Sequence, residues 1–301
     1  MASAVLCGTC VLAATSSWGI QFNLHADKFT KNFNGKPVEM WGFGLNNAPA
    51  SVPGPTLTVG PNLLGVVDTT IVIWLTNNLD VPISLVIPGQ AGFVRDAAHS
   101  TFVDSQGRTR ARSFVKETQP GQVGRYEWTN ASPGTFLYHS GSHAALQVQM
   151  GLYGALRRFA ATGQAYPGTP YVSDVTWIFG ELDLDVHEAV RTNAYDTVIK
   201  SMISSRAEVY LLNGEPYEVA TLPVGAGTGN TLVRMLNACY DERVVVFNGQ
   251  HVQVVAEDGR KYPYAKVENA VRLPALQTRD ALLPRPSPAV KVFDRRYLAA
   301  R

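Results

Sequence analysis

The sequence predicts an all-β protein of two Greek-key sandwiches, and three observations support that fold class. Short runs of β-branched and aromatic residues recur along the chain, each closed by Gly, Pro, Asn or Asp. The two halves share an order. Pro53–Val59 precedes Leu75-Thr76-Asn77 in the first, and Leu212–Pro216 precedes Thr231–Ala238 in the second. Helical spacing is confined to Asp183–Arg206, where Val186, Val190, Tyr195, Val198, Ile199, Met202 and Ile203 fall at three- and four-residue steps.

Taken in order, residues 1–20 hold a short apolar run, Ala4–Ala14, followed by the small residues Ser16 and Ser17. The run reads as an export signal, which would place the protein in the periplasm or outside the cell, or else as a disordered or strand-forming start. A first sandwich is expected over 21–160. In it Thr70-Ile71-Val72-Ile73-Trp74-Leu75-Thr76 ends at the turn pair Asn77-Asn78, and Gly124–Thr129 alternates polar and aromatic residues before the turn cluster Asn130–Gly134. Gly163, Pro167, Gly168 and Pro170 crowd the stretch between Phe159 and Tyr171 and mark a boundary there. A second sandwich is expected over 171–290, with one or two short helices inserted at Asp183–Arg206 and a tail at 291–301. Its strands include Val244–Phe247, running to Asn248-Gly249, and Val252–Ala256, running to Asp258-Gly259. Gly225–Gly229 precedes a strand rather than a helix and reads as a hairpin loop, not a phosphate cradle.

Composition narrows the function classes. Hydrophobic residues make up 46% of the chain and charged residues 17%, enough apolar content for a sizeable core. The net charge is +2 with no block of like charges, so nucleic acid is not an expected partner. No segment reaches the roughly 18 apolar residues of a membrane span. Of three cysteines, Cys7 and Cys10 form a Cys-x-x-Cys, but no second pair or nearby histidine completes a zinc site. If the leader is removed, Cys239 stands alone and no internal disulfide is possible.

The most specific motif is Pro133-Gly134-Thr135-Phe136-Leu137-Tyr138-His139-Ser140-Gly141-Ser142-His143, continuing through Met150-Gly151-Leu152-Tyr153-Gly154. It resembles the closing strands of the first cupredoxin domain of a multicopper oxidase. Further, weaker matches to that family run from Gln21 onward: Val52-Pro53-Gly54-Pro55-Thr56-Leu57, Leu211-Leu212-Asn213-Gly214, Arg234–Ala238 and Thr278-Arg279-Asp280. The branch resembled includes bacterial manganese-oxidase-like proteins. The resemblance implies two cupredoxin-like domains, copper as cofactor, and copper ligation by His139 and His143. It also implies one-electron oxidation of phenols or metal ions such as Mn(II), coupled to reduction of O₂.

Several positions depart from the family pattern. Where a His-x-His pair is expected after the Leu-Thr-Asn strand, the chain reads Leu85-Val86-Ile87-Pro88-Gly89-Gln90. The second pair is spread to His139 and His143; fully extended, that spacing separates them by about 13 Å. Only a loop or bulge at Gly141 could bring both to one metal, so Gly141 is expected outside regular strand. No His-Cys-His or His-Pro-x-His-x-His run is present, and Cys239 has no histidine in its loop, so a type 1 copper is not expected. His139 and His143 then either bind copper, in this chain or in an assembly, or occupy former ligand positions and make ordinary hydrogen bonds. His251 is expected to be structural beneath a hairpin, His99 to sit in a surface loop, and His187 to mark a solvated helix start. His25 lies near Asp27 with no other support.

Two functions follow. The first is a multicopper-oxidase-type protein, incomplete as an isolated chain, whose missing ligands come from a second copy or a partner domain. The other is a copper-poor, non-catalytic cupredoxin-like scaffold or interaction module.

Overall fold

A computed structural model of the chain describes residues 19–91, 93–94, 101–111, 115–220, 222, 228–284 and 291–294. Residues 1–18 of the expected leader, with Cys7 and Cys10, lie outside the described residues, as do His99 and Gly225–Gly227. The first half contributes β1 (Ile20–Phe33), β2 (Lys36–Leu45), β3 (Gly54–Val59), β4 (Ile71–Asn77), β5 (Ile83–Ser84), β6 (Phe93–Val94), β7 (Thr101–Val103), β8 (Thr109–Ala111), β9 (Glu117–Thr118), β10 (Val123–Trp128), β11 (Gly134–His139), α1 (Ala144–Met150) and β12 (Tyr153–Arg158). A small hairpin, β13 (Gln164–Tyr166) and β14 (Thr169–Pro170), leads to the second half. That half contains β15 (Ser173–Leu182), α2 (Leu184–Arg191), α3 (Tyr195–Val198), β16 (Val209–Leu212), β17 (Glu215–Pro216), β18 (Thr231–Asn237), β19 (Arg243–Asn248), β20 (Val252–Glu257), β21 (Arg260–Glu268), β22 (Ala270–Leu273), β23 (Thr278–Leu283) and β24 (Lys291–Asp294).

The sheets form β-sandwiches, the all-β class that the sequence predicts. One sheet runs β2-β1-β4-β10-β6 and faces β11-β12-β3; another runs β17-β16-β15-β18-β23-β20-β21 and accompanies β22-β19-β24. The halves repeat one pairing scheme. Parallel β1–β4 and antiparallel β4–β10 are matched by parallel β15–β18 and antiparallel β18–β23. Period-two patterning drives this layering: in β4, Ile71, Ile73 and Leu75 are buried while Trp74 faces outward.

The repeated Leu-x-Asn signal has a physical basis. Asn77 and Asn237 each end a strand fully buried. The Asn77 side-chain amide donates to Val81 O at 2.8 Å and Thr118 O at 2.9 Å, and its carbonyl accepts from Leu79 N. Asn237 does the same with Asp241 O at 2.8 Å, Leu273 O at 2.9 Å and Cys239 N. Each asparagine thus satisfies backbone groups that the end of a strand would otherwise leave unpaired. Cys239 is the positional counterpart of Leu79 and packs in the second core.

The expected helical stretch forms α2, α3 and a short 3₁₀ turn at Met202–Ser204. Asp183 caps α2 through Val186 N. One element departs from expectation: the His139–Leu156 run is not strand throughout. After His143 the chain forms α1, with Leu146, Val148 and Met150 buried. The alternating Leu146, Val148 and Met150 read as strand, but the segment opens on left-handed backbone at His143 (φ 42) and packs as a helix buried on several sides, Gln147 and Gln149 included.

Candidate metal centre at the end of strand β11

Every residue of β11 is buried: the strand pairs with β12, packs against β18 and β23 of the second half, and meets the segment after β5 at its last residue. His139 is the last residue of the strand and is 5% exposed. It is the antiparallel partner of Tyr153 on one side. On the other it exchanges both backbone bonds with Val86, Val86 N to His139 O at 2.9 Å and His139 N to Val86 O at 3.1 Å.

The imidazole of His139 has one engaged nitrogen. Nδ1 lies 2.8 Å from Ser140 O, and a carbonyl only accepts, so Nδ1 carries the proton. Nε2 then presents a lone pair; it is buried and has no hydrogen-bond partner. Burial pushes the pKa of this histidine below its ordinary value, against the weaker upward pull of Ser140 O. A neutral imidazole with a free Nε2 lone pair has the protonation state of a metal ligand.

Polar groups around His139 hold one another rather than a ligand. Ser140 Oγ accepts from Ser84 N at 3.2 Å and donates to Gln147 Oε1 at 2.6 Å, while Gly141 N donates to Ser84 Oγ at 2.9 Å. Gln147 Nε2 donates to Pro82 O at 2.9 Å, and Ser142 Oγ to Glu117 Oε1 at 2.8 Å. Gly141 lies outside strand, as expected, but for a different reason from the anticipated positive φ, which falls instead on His143. A Cβ at position 141 would sit 2.7 Å from Val115 Cγ1 and 2.8 Å from Val86 Cγ1, so glycine is required by close packing.

His143 sits in different surroundings. It is exposed, occupies the N-cap of α1, and sets its ring edge-on to Tyr195 of α3 with centroids 5.6 Å apart. The segment expected to carry the other histidine pair gives Leu85 and Ile87, 1% and 3% exposed, to the apolar core. Among the described residues no group of three or more His, Cys, Asp or Glu side chains is arranged to hold a metal ion. One free imidazole nitrogen fits a single copper–imidazole bond. It does not fit an oxygen-reducing copper cluster, which draws several imidazoles to each metal.

Two further histidines among the described residues, His25 and His187, are held by hydrogen bonds within the fold. His25 pairs through Nδ1 with Asp27 and through Nε2 with Ala48 O at 3.0 Å. His187 corrects the expected solvated helix start. It is buried, with Nδ1 2.8 Å from Glu39 O and Nε2 3.1 Å from Gln149 O, tying α2 to β2 and α1. His251 is exposed rather than packed beneath its hairpin. Cys239 is buried and not disulfide-bonded. Tyr195 and Ser84 contact the motif from a distance in sequence; the residue pattern placed Tyr195 in the helical stretch but marked neither as a neighbour of the motif.

No family model matches the chain, and no curated protein matches it in sequence. Solved structures do match its fold. The multicopper oxidase mgLAC superposes with a TM-score of 0.67 at 16% identity, over 91% of this chain and 79% of that one. The blue copper oxidase from Nitrosomonas europaea gives 0.66 at 16%, with the same coverage of both chains. Copper nitrite reductase from Nitrosomonas europaea gives 0.64 at 18%, over 93% of this chain and 89% of that one. The class so defined is the cupredoxin-fold proteins, and the chain is similar in architecture to copper oxidases and a copper reductase. No described helix is long and apolar enough to cross a membrane.

Proposed function

We propose that this is a multicopper-oxidase-type protein whose copper chemistry is incomplete in the isolated chain. The observation that carries this reading is the buried, neutral His139 with a free Nε2 at the end of β11. Bound copper would supply one-electron redox chemistry, with phenols or metal ions such as Mn(II) as the reductant and O₂ as the oxidant. This chain's own residues would fix the His139 tautomer through Ser140 O and keep the imidazole neutral by burial. A second copy or a partner domain would bring the other ligands, His143 would take part only from such an assembly, and the apolar leader points to export.

The second reading is a copper-poor cupredoxin scaffold, and Leu85 and Ile87 in the core favour it. Metal analysis, visible spectroscopy and oxygen uptake separate the readings. The copper-loaded pure chain should show no intense thiolate-to-copper band and no O₂ consumption with phenol or Mn(II). Copper that binds the wild-type chain and is lost in His139→Gln supports the first reading. Equal copper retention by both proteins, or none in either, leaves the scaffold. Robust turnover by the isolated chain would overturn both.

A further inference from the structure

We propose that the cavity between α2 and the segment Val198–Arg206 binds a small zwitterion with a short apolar group, a free α-amino acid or a dipeptide. The cavity measures about 410 Å³, near the lower end of the roughly 300–1,000 Å³ of ligand pockets. It lies in the helical insertion of the second half, and the inference does not depend on copper chemistry.

One wall is built by Asp183, whose carboxylate accepts three hydrogen bonds from the chain. Oδ1 accepts from Val186 N at 3.2 Å, and Oδ2 accepts from Ser205 Oγ at 2.9 Å and Arg206 N at 2.7 Å. These bonds fasten the start of α2 to the chain entering β16.

Three other charged side chains line the same cavity: Asp185, Lys200 and Arg206. None of the three has an ion-pair or side-chain hydrogen-bond partner among the described residues. The cavity lies among these three side chains of both signs. Val186, Val198 and Met202 supply an apolar lining. A simple carboxylate would meet Lys200 and Arg206 but also the repulsion of Asp185. An amine would meet Asp185 but also two cations. A ligand with both charges answers all three groups, its carboxylate toward Lys200 and Arg206, its ammonium toward Asp185 and its side chain on Val198 and Met202.

Calorimetric titration of the full chain with L-leucine tests this, against 4-methylpentanoate, which lacks the ammonium, and 3-methylbutylamine, which lacks the carboxylate. Leucine should bind about tenfold or more tightly than either analogue, the effect of one charge-assisted hydrogen bond. Asp185→Asn should remove the preference over 4-methylpentanoate, and Lys200→Gln with Arg206→Gln the preference over 3-methylbutylamine. Lys200 and Arg206 are exposed, so these variants should fold, and circular dichroism checks that they do. No binding of leucine, equal binding of the analogues, or leucine affinity unchanged in all variants would overturn the proposal.

Discussion

Replacing Arg234 by methionine should reveal how the two sandwiches are held together. Arg234 is wholly buried in β18, where its Nε donates to Asp174 Oδ2 at 2.9 Å and its Nη1 to Thr135 Oγ1 at 2.7 Å. Thr135 belongs to β11 of the first half; its hydroxyl donates in turn to Asp280 Oδ2 at 2.8 Å, which also accepts from Tyr166 at 2.6 Å. Thr278 Oγ1 closes the ring by donating to Thr135 O at 2.9 Å. Asp174 keeps a second partner, Arg157 at 3.0 Å. Arg234→Met therefore breaks the ion pair with Asp174 and removes the nearby positive charge that offsets the buried Asp280 carboxyl, whose Oδ1 already has no partner. Removing one member of a buried ion pair costs about 3–5 kcal/mol.

The sign of the pH dependence sharpens this test. Burial raises the Asp280 pKa and the Arg234 charge pulls it down, so losing the arginine raises it further. A carboxyl raised in the folded state favours folding when protonated and costs stability as pH climbs. The loss in Arg234→Met should thus grow between pH 5 and 8, at up to about 1.4 kcal/mol per unit. Urea unfolding across that range measures it, and adding Asp280→Asn should flatten the dependence. A loss below about 1 kcal/mol, or one independent of pH, would falsify the assignment of this network as a buried, charge-bearing tie between the sandwiches.

Three further outcomes follow from the same geometry. Gly141→Ala should cost about 1–3 kcal/mol by overpacking against Val115 and Val86, read as a lowered urea midpoint with unchanged slope; a neutral substitution would show that the loop gives way. Asn237→Ala should cost about 1–3 kcal/mol, because the buried Leu273 carbonyl, the Cys239 amide and the half-buried Asp241 carbonyl lose their partner. His187 is held below its ordinary pKa by burial, with the Glu39 and Gln149 carbonyls pulling the other way and the Asp183 and Glu39 charges adding to them. It is neutral when folded, so stability should fall as pH drops below about 6.5, by at most about 1.4 kcal/mol per unit. His187→Gln should remove that slope, and a slope that persists would refute the assignment.

Much of the fold was legible in the sequence, and the reason is local. Ile71, Ile73 and Leu75 alternate with Val72 and Trp74, which is enough to fix a strand and its buried face. The repeated Leu-x-Asn order was visible because each copy performs one task, a buried amide satisfying backbone groups at the end of a strand. The helical insertion announced itself by its three- and four-residue spacing. What escaped detection depends on distant partners. The run after His143 could pack as strand or helix, and only its setting against β2 and β15 decided it. The burial of His187 is set by carbonyls of Glu39 and Gln149, which no spacing near His187 encodes. At the candidate centre, His139 was identifiable by motif, but the orphaned Nε2 is a property of packing, and so is the exposure of His143 against Tyr195.

The incompleteness of that centre can be traced to one neighbouring position and tested there. His139 and Val86 exchange both backbone hydrogen bonds, which makes them a directly opposed antiparallel pair with side chains on one face of the ladder. Cα atoms of such a pair lie about 5.5 Å apart and the Cβ atoms about as close. Ile87 is committed to the core, so a histidine there would remove an apolar anchor and bury a polar ring. Val86 is only half-buried, so a ring in its place can extend outward without vacating the core. Val86→His should therefore set a second imidazole beside the free Nε2 of His139. A pair of imidazoles should bind Cu(II) or Zn(II) at least about tenfold more tightly than the wild-type chain, as one added ligand bond implies. The gain should vanish in Val86→His with His139→Gln, which retains one imidazole on the opposite strand. Competition titration with a chromogenic chelator reads both numbers. If Val86→His binds no better than wild type while remaining folded, the lone pair of His139 is not open to a metal, and the copper reading of this centre fails with it.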